Sequence, residues 1–245
     1  MEKIISYPIS FIYAFFFLLT LAIFHPIQWV CFNVFGYQAH KKSVDCMSFF
    51  LIKCTNILGT TYTLKNKDLI PKGVPVIFVA NHQSLYDIIG MIWYLRSFHT
   101  KFVSKKELGK GIPSVSYNLR HGGSVLIDRK DPKQALPIIK GLAEYIEKHK
   151  RSAVIFPEGT RSKNGKPKEF AQSGLKILCK YAPSAYVVPI TINNSWKILK
   201  FGSFPMGLGS KLEYIIHEPI AVKDYPFDEL MTKTEKAVIQ SIKYN

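Results

Sequence analysis

A histidine and an aspartate stand five residues apart at the point where an apolar stretch gives way to a helical pattern. The segment reads VANHQSLYDIIG, and it places His82 and Asp87 on either side of Ser84. Residues five apart on one continuous helix point about 140° away from each other, so these side chains can meet only if the helix begins between them. Ser84 is a residue type that starts helices, and Asp87 follows at the capping-box position. The spacing therefore predicts either a carboxylate that holds an imidazole for proton transfer or, more simply, a helix cap beside an ordinary loop histidine.

A general base of this kind often activates a nucleophile of the protein itself. In a Ser-His-Asp arrangement that nucleophile is a serine, but the sequence contains no GxSxG segment that would present one at the end of a strand. We therefore expect His82 to act directly on a hydroxyl group that the substrate brings. This chemistry is acyl transfer to an alcohol without an acyl-enzyme intermediate.

Two further polar clusters follow apolar runs. The segment GGSVLIDR ends with Arg129, and VIFPEGTR ends with Glu158, Gly159, Thr160 and Arg161. Ligands of parallel α/β sheets gather at the carboxyl ends of the strands, where these clusters would meet the histidine. A guanidinium group forms paired hydrogen bonds with phosphate oxygens, and glycine lets the backbone approach a ligand closely. The sequence therefore predicts a phosphate site beside the base.

The elements that must position these side chains alternate between short apolar runs and helical patterns. Runs with the composition of buried strands occupy residues 74–80, 101–104, 123–127, 152–156, 185–192 and 211–218. Helical patterns occupy residues 43–58, 85–95, 131–150, 169–182 and the segment from 228 onward. Apolar strands that alternate with helices are typical of a sheet buried on both sides. We therefore predict an α/β fold with a mixed, mostly parallel sheet that is covered by helices on both faces.

The N-terminal region is apolar enough to enter a membrane. Residues 4–39 contain no Lys, Arg, Asp or Glu, whereas about 20 apolar residues suffice to cross a bilayer. One interpretation is a single span with Lys41–Lys42 on the cytoplasmic side. The other is a helical hairpin, bent near His25–Pro26, that dips into one leaflet. Either way the chain is predicted to divide into a membrane-embedded helical element and an α/β acyltransferase-type domain, residues 1–58 and 59–245.

The part of the chain that faces water is strongly basic. The net charge is +16, and of the 33 basic and 17 acidic residues all but Lys3 and Glu2 lie from position 41 onward. A basic domain tied to an apolar anchor indicates an enzyme on an anionic membrane surface, and the same charge suits acidic substrates. Nucleic acid is not expected as a partner because there is no zinc-finger spacing or RNP-like segment. No metal site is predicted because the cysteines and histidines lack ligand spacing.

With its polar blocks in this order, the sequence resembles the glycerolipid acyltransferases, in particular the lysophosphatidate (1-acylglycerol-3-phosphate) acyltransferases. NHQSLYD at 81–87 is similar to the family's NHx4D motif, and GGSVLIDR at 122–129 to its second block. FPEGTR at 156–161 is similar to the third block, and VVPITI at 187–192 to the fourth. The resemblance covers about residues 75–195.

The resemblance implies both a reaction and roles for individual residues. A lysophospholipid acceptor would be acylated from acyl-CoA or acyl-carrier protein, which are co-substrates, so no cofactor is implied. His82 would be the base, and Asp87 would orient it. The residues implied to bind the acceptor phosphate are Arg129, Arg161 and Lys105, and those implied to shape the acceptor site are Glu158, Gly159 and Thr160.

The apolar N-terminal region followed by Lys41–Lys42 predicts a membrane location with the active site on the cytoplasmic face, which is the inner membrane in a bacterium. Three alternatives stay open at this point. The acceptor could be a lyso-aminolipid, because guanidinium groups also bind carboxylates. The chain could be a basic membrane-binding protein without catalysis, or a lipid hydrolase that releases free fatty acid.

Overall fold

The computed structural model describes residues 1–244 and contains one eight-stranded sheet. The strands are β1 (Thr61–Lys65), β2 (Val76–Ala80), β3 (Thr100–Lys105), β4 (Val125–Ile127), β5 (Ser152–Ile155), β6 (Tyr186–Asn193), β7 (Lys211–Ile216) and β8 (Ile220–Ala221). The helices are α1 (Glu2–Ile57), α2 (Tyr86–Tyr94), α3 (Val115–His121), α4 (Pro132–His149), α5 (Gln172–Tyr181) and α6 (Phe227–Ile239).

The sheet is mixed and mostly parallel, which confirms the predicted fold. Its strand order is β1-β7-β6-β2-β5-β3-β4, with β8 paired to β6. The five strands from β2 to β6 all run in the same direction, whereas β7 and β8 are antiparallel to β6. The six predicted strands are present, but β1 and β8 were missed. The sequence TYTLK of β1 is partly exposed along its length because it forms an edge of the sheet, so it lacks the continuous apolar run of a central strand.

Alternation along the central strand β2 divides the hydrophobic core into two layers. Val76, Phe78 and Ala80 pack in the cluster that includes α1 and α2. Ile77 and Val79 pack in the cluster formed with α4, α5 and α6. Helices therefore cover both faces, and complete burial of such side chains stabilises the fold by about 1.5–3 kcal/mol for each large one.

Helix α1 is a hairpin of two antiparallel segments rather than a single rod. Its one non-helical residue is Gly36, at φ 79° and ψ −171°, a backbone conformation that glycine adopts without a steric penalty. The segments on either side face each other: the Gln28 amide contacts the Met47 sulfur at 3.3 Å, and the Phe24 and Phe50 rings lie 5.9 Å apart. The predicted position of the bend, near His25–Pro26, is therefore wrong, because the helix continues through the proline and turns at the glycine.

The hairpin is apolar on its outside and polar on its inside. Ile4, Phe11 and Phe15 are more than half exposed, and so is Trp29 further along the same segment. The buried residues of α1 include several polar ones, namely Ser6, Ser10, Gln28, His40, Ser43, Ser48 and Thr55. Within residues 1–244, α1 is the one helix long and apolar enough to cross a membrane, and 22% of its most apolar 18-residue window is buried. This inverted polarity is what a lipid-facing helix requires.

The hairpin also shares its core with the sheet. Tyr13, Leu21 and Phe24 of α1 belong to the same hydrophobic cluster as Phe78 of β2 and Ile190 of β6. The predicted boundary after residue 58 falls in the short link between α1 and β1, and the last residue of the second predicted unit lies outside the described residues. The division into two domains stays a prediction. In the structure one hydrophobic core joins the two parts.

Candidate active site

Five parallel strands bring polar side chains to the same edge of the sheet. His82 follows β2, Glu158 follows β5, Lys105 ends β3, Arg129 follows β4 and Ser195 follows β6. Adjacent strands lie about 4.8 Å apart. Strand β5 is the neighbour of β2, so the loop after β5 lies next to His82, whereas β4 is three strands from β2, a distance of about 14 Å. The clusters predicted from the sequence therefore meet at one edge, with His82 between the loops that follow β6 and β5.

The histidine and the aspartate are in direct contact. The Nδ1 atom of His82 lies 2.8 Å from Oδ2 of Asp87. A carboxylate accepts hydrogen bonds, so Nδ1 carries the proton and Nε2 keeps a free lone pair. The imidazole also stacks on the Phe156 ring, at 4.2 Å between centres and 21° between planes. The Phe156 ring therefore fixes the plane of the His82 imidazole, and the Asp87 carboxylate favours the tautomer with the proton on Nδ1.

Asp87 holds the histidine and starts helix α2 with the same oxygen. Its Oδ2 also accepts hydrogen bonds from the amides of Gln83 at 2.7 Å and Ser84 at 2.9 Å. The Ser84 hydroxyl in turn accepts from the amide of Tyr86, the first residue of α2, at 3.2 Å. Asp87 therefore both contacts His82 and braces the turn before α2, although the N-cap of this helix is Leu85 and has no side-chain cap hydrogen bond.

The other oxygen of Asp87 is bound from the turn that follows strand β6. The Ser195 hydroxyl donates to Asp87 Oδ1, and both side chains are completely buried. The Ser195 amide donates to Oε1 of Gln83 at 3.1 Å, which ties the same turn to the residue beside the histidine. A carboxylate with partners on both oxygens cannot rotate, so the direction of His82 is fixed by β6 as well as by α2.

Glu158 joins the FPEGTR loop to the histidine through the backbone. Its Oε1 accepts from the His82 amide at 2.8 Å, and its Oε2 from the Lys168 amide at 3.0 Å. Burial raises the pKa of the Glu158 carboxyl, and these two hydrogen bonds oppose the increase. The Ser162 amide donates back to the His82 carbonyl at 2.7 Å, which closes the connection. Glu158 therefore holds the loop in place with both of its oxygens.

Arg129 reaches across the strand between β4 and β5 to the same loop. One guanidinium nitrogen donates to the Gly159 carbonyl. This contact brings the Arg129 head group toward the loop beside His82, although Arg129 itself follows the distant strand β4. Gly159 has φ 67°, in the left-handed region that favours glycine, and this conformation turns its carbonyl toward Arg129. Burial lowers the pKa of Arg129 from its high ordinary value, and a guanidinium group stays charged in proteins.

The remaining predicted site residues are exposed along the same edge. Lys105 is exposed at the end of β3, while its neighbour Lys106 pairs with Asp128 at 2.5 Å. Thr160 accepts a hydrogen bond from Lys168 Nζ at 2.5 Å, and Arg161 is exposed with no carboxylate within 4.0 Å among residues 1–244. Among residues 1–244, Lys105 and Arg161 therefore pair with no carboxylate, whereas Lys106 is engaged.

Ser195, Gln83 and Asn81 hold the site together but were not predicted from the sequence. Asn81 donates to the carbonyl of Ile192 at 2.8 Å and accepts from its amide at 2.7 Å, which clamps the end of β2 to β6. The only available signal was a polar NNS triplet directly after the apolar strand VVPITI. This signal predicts a residue of the site only if β6 lies next to β2 in the sheet, because the loops after neighbouring parallel strands then meet at the edge where ligands bind.

Comparison with known proteins agrees with this geometry. The profile of the family described as Acyltransferase matches residues 61–193, more than half of the chain. A 1-acyl-sn-glycerol-3-phosphate acyltransferase of Helicobacter pylori is 38% identical over 185 residues, which cover 72% of this chain and 70% of that protein. The chain belongs to the acyltransferase family.

Two further relatives define how far the similarity extends. The chloroplastic 1-acyl-sn-glycerol-3-phosphate acyltransferase LPAT1 of Arabidopsis thaliana is 33% identical over 63% of this chain, and the match spans 42% of that longer protein. The crystal structure of the 1-acyl-sn-glycerophosphate (LPA) acyltransferase PlsC from Thermotoga maritima aligns with a TM-score of 0.74 and 26% identity. That alignment covers 98% of this chain and 95% of the other, so the hairpin is included in the shared fold.

Proposed function

We propose that this chain transfers an acyl group from acyl-CoA or acyl-carrier protein to the free hydroxyl of lysophosphatidate, with His82 as general base. The observation that supports this most directly is the buried Asp87, which fixes the imidazole beside exposed cations at one sheet edge. The named acceptors of the similar proteins support the choice of a 1-acylglycerol-3-phosphate.

The proton path follows from the tautomer of His82. Nε2 takes the hydroxyl proton while the acceptor oxygen attacks the thioester carbonyl. The tetrahedral intermediate then collapses, the carbon–sulfur bond breaks, and the imidazolium returns the proton to the departing thiolate. The products are a diacyl lipid and a free thiol, and no bond to the protein forms. General base catalysis contributes about 10²–10⁴-fold, and the positioning of both substrates can contribute about 7–11 kcal/mol more.

The oxyanion of the intermediate requires a hydrogen-bond donor near His82. In the FPEGTR loop the amides of Gly159 and Thr160 already donate to the carbonyls of Phe156 and Glu158. The Arg161 amide donates to no acceptor among residues 1–244, and it directly precedes Ser162, whose amide binds the His82 carbonyl. In our proposal the Arg161 amide therefore donates to the oxyanion, a type of contact worth about 3–4 kcal/mol.

The acceptor's phosphate is assigned to the exposed cations of the same edge. Arg161 offers a guanidinium fork, Arg129 is held toward the loop by the Gly159 carbonyl, and Lys105 adds a point charge. The exposed apolar face of α1 lets a lipid acceptor and an acyl chain reach this edge without crossing water. This matters because each CH₂ group moved from lipid into water costs about 0.8 kcal/mol.

A panel of acceptors tests the proposed reaction. The purified full-length chain in mixed micelles is given labelled acyl-CoA or acyl-carrier protein with lysophosphatidate, a lyso-aminolipid or no acceptor, and thiol release and product mass are measured. We expect phosphatidate from lysophosphatidate. A diacyl aminolipid would change the acceptor, free fatty acid would indicate a hydrolase, and no thiol release with any acceptor would indicate a binding protein.

The active site is proposed to lie on the cytoplasmic face, because basic residues near membrane segments favour that side. Cys46 on the hairpin is exposed and offers a direct test. A membrane-impermeant thiol reagent should label it in inverted membrane vesicles and leave it unlabelled in intact cells. Equal labelling in intact cells would contradict this orientation.

A further inference from the structure

The sheet edge opposite the active site holds a second group of basic side chains. Lys101 lies near the start of β3, and Arg151 directly precedes β5. Both cations lie over the Tyr37 ring, with Lys101 Nζ 4.7 Å and Arg151 Cζ 4.6 Å from its centre. Strands rise about 3.3 Å per residue, so the length of β2 separates this group from His82 by about 15 Å. The group is therefore distinct from the active site.

Lys101 is a buried amine that pairs with no carboxylate among residues 1–244. It is 3% exposed, and its Nζ donates to the Tyr37 hydroxyl at 2.6 Å and to the Gly122 carbonyl at 2.5 Å. An ammonium group has three donors, so one is left over. Burial, followed by the neighbouring Arg151 and Lys41, lowers the pKa of Lys101 to about 7. The charged form of a buried amine is costly unless it is paired, and a bound anion would offset that cost.

The surrounding charges do not balance. Asp45 is the one carboxylate that lines the adjacent pocket, and it already pairs with Lys41 at 2.5 Å. The pKa of His99 is lowered to about 4, chiefly by burial and then by the nearby cations, so this side chain is neutral at pH 7. Lys101 and Arg151 have no carboxylate within 4.0 Å among residues 1–244. The group is therefore complementary to an anion with several acceptor oxygens.

The group lies beside the turn of the hairpin. Tyr37, which carries both cations on its ring, directly follows Gly36. Just before that glycine, Val34 is 64% and Phe35 69% exposed, and they continue the apolar outer face of α1. A surface of exposed apolar side chains next to unpaired cations matches the boundary between acyl chains and phosphate groups in a bilayer.

We propose that Lys101, Arg151 and Tyr37 form a binding site for the phosphate of an anionic phospholipid in the membrane that the hairpin contacts. The third donor of Lys101 and the guanidinium of Arg151 would bind the phosphate oxygens. This site would select anionic membranes through a contact on the side of the sheet away from the base. The proposed lipid site does not depend on the acyl transfer proposed above.

Vesicle binding tests the site. Wild-type chain, Lys101→Met and Arg151→Gln are each mixed with vesicles of phosphatidylcholine alone or with phosphatidylglycerol added, and the bound fraction is measured after flotation. One cation near an anionic membrane is worth about five-fold in binding. We expect each variant to lose about five-fold or more on the anionic vesicles and to bind the neutral vesicles as the wild type does.

Two matched variants separate a site from diffuse charge. Lys236→Met removes an exposed lysine of α6, on the opposite face of the sheet, and should leave binding unchanged. Lys42→Met removes an exposed lysine of the hairpin that lies outside the group, and it should cost less than either site variant. An equal loss for Lys42→Met, or no loss for Lys101→Met and Arg151→Gln, would overturn the proposal.

Folding and free phosphate provide the remaining controls. A thermal melt establishes that each variant is folded, and the Arg151→Gln result stands if Lys101→Met does not fold. Inorganic phosphate is added to the vesicle-free chain in a parallel melt. If phosphate raises the Tm of the wild type alone while all variants bind vesicles equally, the group binds a soluble anion and the proposed lipid site is wrong.

Discussion

The active edge of the sheet has two halves that differ in how completely their polar atoms are bound. In the half around His82, the carboxylate of Asp87 is fully buried and has partners on both oxygens. In the half that carries Arg161 and Lys105, the cations are exposed and have no carboxylate partners among residues 1–244. The His82 side chain is therefore held in place by the protein itself, whereas the exposed cations of the other half have no carboxylate within residues 1–244 to hold them.

The two halves differ in the positional precision that their proposed roles require. A general base acts on one proton in one direction, and a displacement of its ring by a small fraction of a hydrogen-bond length weakens the transfer. A phosphate group offers several oxygens, so flexible cations can reach it from more than one position. We therefore expect substitutions in the His82 half to lower kcat and substitutions in the phosphate half to raise the KM for the acceptor.

The largest effect is expected for His82→Ala. Without the imidazole no group is positioned to take the hydroxyl proton, so the rate should fall by at least about 10²–10⁴-fold. Flotation with membranes should be unchanged, because the hairpin does not include this residue. A variant that keeps substantial transferase activity would exclude His82 as the base.

Asp87→Asn should follow in size. The amide can still accept at one oxygen, but it does not stabilise the imidazolium, and we expect kcat to fall by about 10²–10³-fold. Stability should also fall, because the carboxylate accepts from the Gln83 and Ser84 amides and from Ser195. A rate near that of the wild type, measured in the same micelles, would mean that Asp87 serves only as a helix cap.

Ser195→Ala removes the contact from β6 to the carboxylate. A hydrogen bond to a charged group contributes about 1.5–3 kcal/mol, so we expect kcat to fall by about 10–100-fold while the KM for the acceptor stays the same. Thr191→Val is the matched control, since Thr191 lies in β6, just before the turn that carries Ser195, and is an equally buried hydroxyl that binds the Val238 carbonyl. Both variants should melt at lower temperature, but a loss of kcat in both would assign Ser195 a purely structural role.

Arg161→Lys should produce the smallest change. It replaces a two-nitrogen fork by a point charge, and we expect the acceptor's KM to rise by about ten-fold with kcat nearly unchanged. Lys163→Gln, which removes an exposed charge from the same loop, should leave the KM almost as it is. If both substitutions change the KM equally, the loop attracts the lipid by overall charge and Arg161 makes no specific contact.

The sequence predicted those parts of the site that are encoded locally. His82 and Asp87 lie within one loop and one helical turn, so their spacing could be interpreted without a fold. Ser195 lies 108 residues from Asp87, and its role depends on β6 being the neighbour of β2, which no local pattern specifies. The link from Arg129 to the Gly159 carbonyl depends on strand order for the same reason.

The bend in the hairpin shows a different kind of failure. Proline is the stronger signal for a break in a helix, and the sequence therefore predicts a bend at Pro26. In an apolar helix that packs on neighbours, a proline can be accommodated, while the chain reverses where a glycine provides a left-handed conformation. The general fold was predictable because the central strands are continuous apolar runs. The edge strand β1 could not be predicted in this way, since it is short and half exposed.

The shared core of α1 and the sheet has a consequence for how this protein can be handled and how it could evolve. Tyr13, Leu21 and Phe24 complete the layer that contains Phe78, so a fragment starting at β1 would present that layer to water and aggregate. Solubilisation therefore has to replace the lipid around the hairpin and keep the hairpin itself. We therefore expect the hairpin and the α/β part to unfold as one unit, so that neither part could be moved to another protein without the other.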